Sequence, residues 1–224
     1  MISVEVDPAW SERFPGARLG LLEARGIPAL ASHPELERRR VALEADLRLR
    51  FAGMDRSRLR ELPVLRAFEA HYRPHGKTYH LLGQLESVAL KGRAIPARLC
   101  AVTALFMAEL QHGLVAAGHD LDALAPPLRL APSRGGERYR NLGGAEVVLP
   151  EGDMTLAHGR GLLSSVLQGP DRETPVGPES TSVLFTFYAP PGLPEGALEA
   201  ALADLAGHVA AFAPEALLER RILP

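Results

Sequence analysis

The chain has little cysteine, few aromatic residues and no excess of either charge. Cys100 is the single cysteine among 224 residues, which excludes an internal disulfide and any cysteine-cluster metal site. Its apolar neighbours Leu99, Ala101 and Val102 predict a buried thiol, and the sequence places no base that would make it a reactive nucleophile. Lys and Arg number 25 against 27 Asp and Glu, a formal charge of −2. No global field therefore draws nucleic acid, and any RNA contact must be a local patch. No segment approaches the roughly 18 uncharged apolar residues of a membrane span. The start Met1-Ile2-Ser3-Val4-Glu5-Val6-Asp7 has neither a basic head nor a continuous apolar stretch. A soluble cytoplasmic protein with no membrane partner is expected.

Familiar catalytic signatures are also missing. There is no Gly-x-Ser-x-Gly elbow, phosphate loop, dinucleotide fingerprint or His-Glu-x-x-His motif, so the common hydrolase, ATPase, dehydrogenase and metalloprotease readings lose support. His71, His75 and His80 lie close together, but Pro74 and Gly76 interrupt the helix that would align the first two. Their spacing matches no familiar zinc motif, and neither a metal nor another cofactor is expected.

What is present is 46% hydrophobic content, ample for a core. Residues 2–6 and 17–22 read as strands. Helical spacing predicts helices over 34–51, from Pro63 to Tyr72, over 81–90 and over 97–117. After Asp120 the pattern changes to short apolar runs punctuated by Gly and Pro, the rhythm of strands, at 128–131, 146–149, 154–157, 162–167 and 183–189. Residues 198–213 return to helical spacing before a short tail. One α+β domain over 1–224 is the simplest organisation. The arginines at 38–40, 48 and 50 offer phosphate contacts, but interspersed Glu35, Glu37, Glu44 and Asp46 favour a solvated helix face.

One ordered series of motifs goes further. Gly136-Glu137-Arg138-Tyr139 is followed by Leu142-Gly143-Gly144-Ala145-Glu146-Val147 and Pro150-Glu151-Gly152-Asp153-Met154. Gly161-Leu162-Leu163-Ser164-Ser165, Asp171-Arg172-Glu173-Thr174 and Thr181-Ser182-Val183-Leu184-Phe185 complete it. This order resembles the B3/B4 editing domain of the phenylalanyl-tRNA synthetase β subunit and small free-standing B3/B4 proteins. Upstream segments at 72–76, 90–96 and 118–124 extend the resemblance over residues 60–192, with helical extensions at both ends. The chain departs from the family at Val102-Thr103-Ala104-Leu105-Phe106, where a Val-Asp-x-x-Asn-like pattern is common. Rejection of tyrosine attached to phenylalanine tRNA is therefore not carried over.

The resemblance implies a three-layer α+β fold containing a β-sandwich of unusual topology. It also implies metal-independent hydrolysis of a mischarged aminoacyl-tRNA, acting in trans and without a cofactor. A non-catalytic tRNA-binding or synthetase-associated module is the alternative. The expected partner is the aminoacylated 3′ end of tRNA, with a synthetase as a further candidate and DNA excluded. Glu146, Ser164 and Thr174 are expected in the substrate pocket, and Asp171, Arg172 and Thr174 in an ordered loop beside it. His71, Tyr72, Arg73, His75, Lys77 and His80 combine cations with a stacking ring. They form the expected RNA approach, together with Arg172.

Overall fold

Two hydrophobic periods shape the chain, whose residues 1–224 are all described by a computed structural model. The first half holds β1 (Val4–Val6), α1 (Pro8–Arg13), β2 (Arg18–Arg25), α2 (Pro34–Arg50), α3 (Arg56–Arg60), α4 (Pro63–Tyr72), α5 (His80–Leu85), α6 (Cys100–His112) and β3 (Ala116–Asp120). The second half holds β4 (Leu128–Arg134), β5 (Arg138–Arg140), β6 (Glu146–Val148), β7 (Glu151–His158), β8 (Gly161–Ser165), β9 (Gly169–Pro170), β10 (Ser182–Ala189), α7 (Ala197–Phe212) and β11 (Leu217–Leu223).

The central sheet is antiparallel, in the order β11-β2-β10-β3. Strand β2 is buried on both faces from Leu19 to Ala24, as its nearly continuous apolar run requires. One face of this sheet is covered by α7, since a methyl group added at Gly20 would lie 2.8 Å from Leu198 Cδ1. The other face meets a second sheet, β1-β4-β7-β8-β9, where the Tyr188 hydroxyl of β10 lies 2.8 Å from Ser164 Oγ of β8. The layers are thus outer sheet, central sheet and helices, joined by one cluster of 54 buried apolar residues. Hairpin β5–β6 stands apart from both sheets as a pair of its own.

The sequence expectations fail where a local stop outweighs the hydrophobic pattern. The helix expected over 97–117 ends at His112, because Gly113 turns the chain with φ 69° and its N–H bonds to Glu109 O. Such a left-handed position suits glycine and terminates a helix. The apolar residues that follow become β3, on the edge beside β10. The expected tail is β11, paired with β2 from Leu217 to Leu223. Helix α1 was also unforeseen, although Asp7 caps it by accepting from Ala9 N at 2.9 Å and Pro8 opens it. Cys100 is buried as expected, and burial pushes its thiol pKa up.

Candidate functional site

Four of the segments that carried the motif order, at 136–139, 142–147, 161–165 and 171–174, meet at the β8–β9 edge of the outer sheet. Hairpin β5–β6 docks on the loop after β9: Leu142 N donates to Pro170 O at 2.8 Å, and Arg172 N donates to Arg140 O at 3.0 Å. The Tyr139 hydroxyl donates to Gly169 O at 2.6 Å, and burial pushes its pKa up. The turn of the hairpin can lie close to Arg172 because Gly144 has no side chain, and a methyl group there would be 3.2 Å from Arg172 Nη1.

Beneath the hairpin lies a cleft of about 640 Å³ whose polar lining includes Arg138, Arg140, His158, Arg160, Asp171 and Glu173. Arg138 is paired with Glu146 at 3.1 Å, whereas Arg140 makes no ion pair. Arg160 bonds the Ala123 carbonyl. Ala125 N donates to His158 Nδ1 at 3.1 Å, so the neutral ring carries its proton on Nε2 and offers a donor. Burial, with the charge of Arg160 adding to it, lowers the His158 pKa and keeps that neutral form.

Asp171 forms the cleft's buried carboxylate. Its Oδ1 accepts from Thr174 Oγ1 at 2.6 Å and its Oδ2 from Glu173 N at 3.0 Å. Because the Thr174 hydroxyl proton goes to Asp171, the hydroxyl oxygen accepts from His119 Nδ1 at 2.8 Å. Burial alone would raise the Asp171 pKa, but the neighbouring His119 and Thr174 outweigh it and hold the carboxyl below its ordinary value. His119 is fully buried and its Nε2 has no partner.

A larger concave space of about 810 Å³ adjoins the cleft at Leu162 and runs toward α1 along the outer face of β4 and β7. Its arginines 13, 129 and 134 alternate with Asp7, Glu12, Glu137 and Glu151. Arg129 is paired with Asp7, while Arg13 and Arg134 are not paired.

The structure redistributes the expected site residues. Glu146 is on the exposed face of β6 and lines neither space. Ser164 and Thr174 are buried, tied to Tyr188 and Asp171, and present no free hydroxyl to a ligand. Arg172 is exposed on the ordered loop and has no carboxylate partner. The expected RNA approach at 71–80 mostly turns inward. Tyr72 is buried with its hydroxyl on Val166 O at 2.5 Å, so it offers no stacking face. His71 Nε2 lies 3.1 Å from Asp153 Oδ1, and Lys77 Nζ donates to Leu167 O at 2.9 Å. His75 is half-buried beside His71, at 5.8 Å between ring centres. Arg73 and His80 remain exposed. The local reason is the helix: α4 presents Leu65, Phe68 and Tyr72 to the core, and Phe68 stacks on Tyr79 at 4.4 Å.

Tyr139, Arg140, His119, His158 and Arg160 have no role among the sequence expectations. A signal existed for the last two, since His158-Gly159-Arg160-Gly161 is a polar turn joining two apolar strands. No group of three His, Cys, Asp or Glu side chains is placed to hold a metal ion, and no helix is long and apolar enough to cross a membrane.

No family model matches the sequence, and no curated protein matches it. Among solved structures, the chain is similar to an N-terminal fragment of the phenylalanyl-tRNA synthetase β subunit from Pyrococcus horikoshii, at 12% identity and a TM-score of 0.49. The match covers 100% of this chain and 54% of the fragment, so the chain spans about half the fragment's length.

Proposed function

We propose that this protein binds the aminoacylated 3′ end of a tRNA in the cleft beneath hairpin β5–β6 and hydrolyses the ester of a mischarged one. The observation that carries this reading is the pairing of opposite charges in one space: Arg140 and Arg160 stand with Asp171 and Glu173 around about 640 Å³. An aminoacylated nucleotide carries both complements, an anionic phosphate and a cationic α-ammonium group. Guanidinium forks suit the first and carboxylates the second. The ordered motif resemblance to B3/B4 domains supports the same substrate.

Hydrolysis by an oriented water fits the groups present. An aminoacyl ester is already activated, so positioning and stabilisation of the developing oxyanion are the contributions a protein can add. His158 supplies a neutral Nε2–H donor for the carbonyl oxygen, and Asp171, fixed by Thr174 and Glu173 N, holds the ammonium group. A protein nucleophile is disfavoured, because Ser164, Thr174 and Cys100 are all buried. That same burial favours, as the second reading, a module that binds the charged end without cleaving it.

Binding of a short RNA end carrying a non-hydrolysable 3′ aminoacyl amide tests the site. Arg140→Glu should weaken it about tenfold or more and reduce its salt dependence, because a phosphate contact becomes a repulsion. The same RNA without the amino acid should bind the native chain more weakly. Equal affinity for the two RNAs, or an unchanged Arg140→Glu variant, would remove the cleft from the account.

A further inference from the structure

A second concave surface lies on the helical side of the molecule, where α5 runs on into a π-helical turn, Glu86–Leu90. It shares no residue with the cleft beneath the hairpin. Its volume is about 510 Å³, within the usual range of small-molecule sites. Val88 and Leu110 are buried in its floor, with Phe106 half-buried beside them.

His80 at its rim lies 3.4 Å from the Tyr72 hydroxyl, but three other polar side chains there are unused. Gln84, Ser87 and Arg93 line the space without a side-chain hydrogen bond or ion pair inside the chain. The neighbouring Lys91 is tied to Glu86 at 2.8 Å, so Arg93 is the cation left free at this rim.

Gly83 gives an independent indication. It lies inside α5 with an ordinary negative φ, and a methyl group added there would meet nothing within 4 Å. Glycine inside a helix weakens it relative to alanine, and neither packing nor backbone conformation demands glycine here. What it provides is an open wall on the cleft. The adjoining π turn is a further departure from regular helix, of a kind frequent at functional sites.

We infer that this cleft binds a small monoanionic amphiphile, an aryl or short-chain carboxylate, with its apolar body on Phe106, Val88 and Leu110 and its carboxylate on Arg93. A single free guanidinium matches one negative charge and the planar fork of a carboxylate, whereas a phosphate dianion would remain half-compensated. Gln84 and Ser87 supply further hydrogen bonds to the carboxylate.

The probe is 4-phenylbutyrate, titrated calorimetrically into the full chain. The expected result is saturable one-site binding that is about tenfold weaker for the uncharged 4-phenylbutyramide and for Arg93→Gln, the scale of a lost charge-assisted hydrogen bond. Gly83→Phe should fill the cleft and abolish the binding heat without lowering Tm. Gly83→Leu is the second occluding variant if the first does not fold. Hydrolysis of charged tRNA should be the same in these occluded variants as in the native chain, which separates this site from the cleft beneath the hairpin. Absence of saturable binding to the native chain, or binding that persists unchanged in Arg93→Gln and the occluded variants, would overturn the inference.

Discussion

Two residues on facing helices, Glu109 buried and His208 half-buried, give the molecule a pH dependence of two signs. In α7, burial lowers the His208 pKa from 6.5 to about 4, with its Nε2 3.2 Å from Gln111 Oε1. The unfolded chain then takes up a proton that the folded chain refuses, so the His208 contribution is complete above pH 6.5 and is lost as pH falls toward 4. In α6, burial raises the Glu109 pKa from 4.5 to about 8, although its Oε1 accepts from Ala116 N at 2.8 Å. Its contribution is complete below pH 4.5 and is lost as pH rises toward 8. Each amounts to on the order of a few kcal/mol over its window. Glu109→Gln, which keeps the acceptor for Ala116 N, should therefore gain stability over the native chain progressively from pH 5 to pH 8. Urea unfolding at several pH values checks this, and a pH-independent difference would contradict it. Thr174→Val should cost about 1–3 kcal/mol by leaving the buried Asp171 and His119 without their shared partner. Glu146→Ala should change stability by under about 1 kcal/mol, since its only ion pair, to Arg138, is exposed on both sides.

At the scale of elements, β2 depends on a small residue where α7 crosses it. A side chain at Gly20 would meet the buried Leu198 and Leu202, at 2.8 and 3.0 Å from a methyl group. Gly20→Ala should cost about 1–3 kcal/mol through overpacking, read as a shift of the urea midpoint with an unchanged slope. Most of the regular elements were legible because a long amphipathic or apolar pattern marks them. Helix α2 was expected over 34–51 and spans Pro34–Arg50, with Arg38, Arg39, Arg40, Arg48 and Arg50 all tied to acids on its own turns. The face is neutralised but not simply solvated: Glu44 is buried, Arg40 also donates to Ile95 O at 3.0 Å, and Arg39 and Arg50 reach Gly207 O and Gln111 O, so the arginines tie α2 to its neighbours. Strand β11 was not legible, because Glu219, Arg220 and Arg221 break its alternation and its pairing with β2 supplies the order instead. The site was legible only as motif order. The inward turn of Tyr72 and the outward turn of Glu146 are set by tertiary contacts that no local pattern encodes.

For the whole molecule, a net charge of −2 over 224 residues means that the RNA recognition proposed above would rest on a few unpaired guanidiniums. Arg140 is the one in the cleft without a protein partner, while Arg13, Arg134 and Arg172 are distributed along the adjoining outer-sheet face and hairpin. Binding should therefore fall with salt only as these few contacts allow, each adding about 0.7 to the log–log slope. The most direct measurement is the rate of ester hydrolysis over a panel of tRNAs, each charged with a correct or an incorrect amino acid, with and without this protein. At least one mischarged tRNA should be deacylated faster than its spontaneous rate, its correctly charged counterpart should be spared, and Arg140→Glu should remove the acceleration. Spontaneous rates for every member of the panel would contradict the proposed hydrolysis.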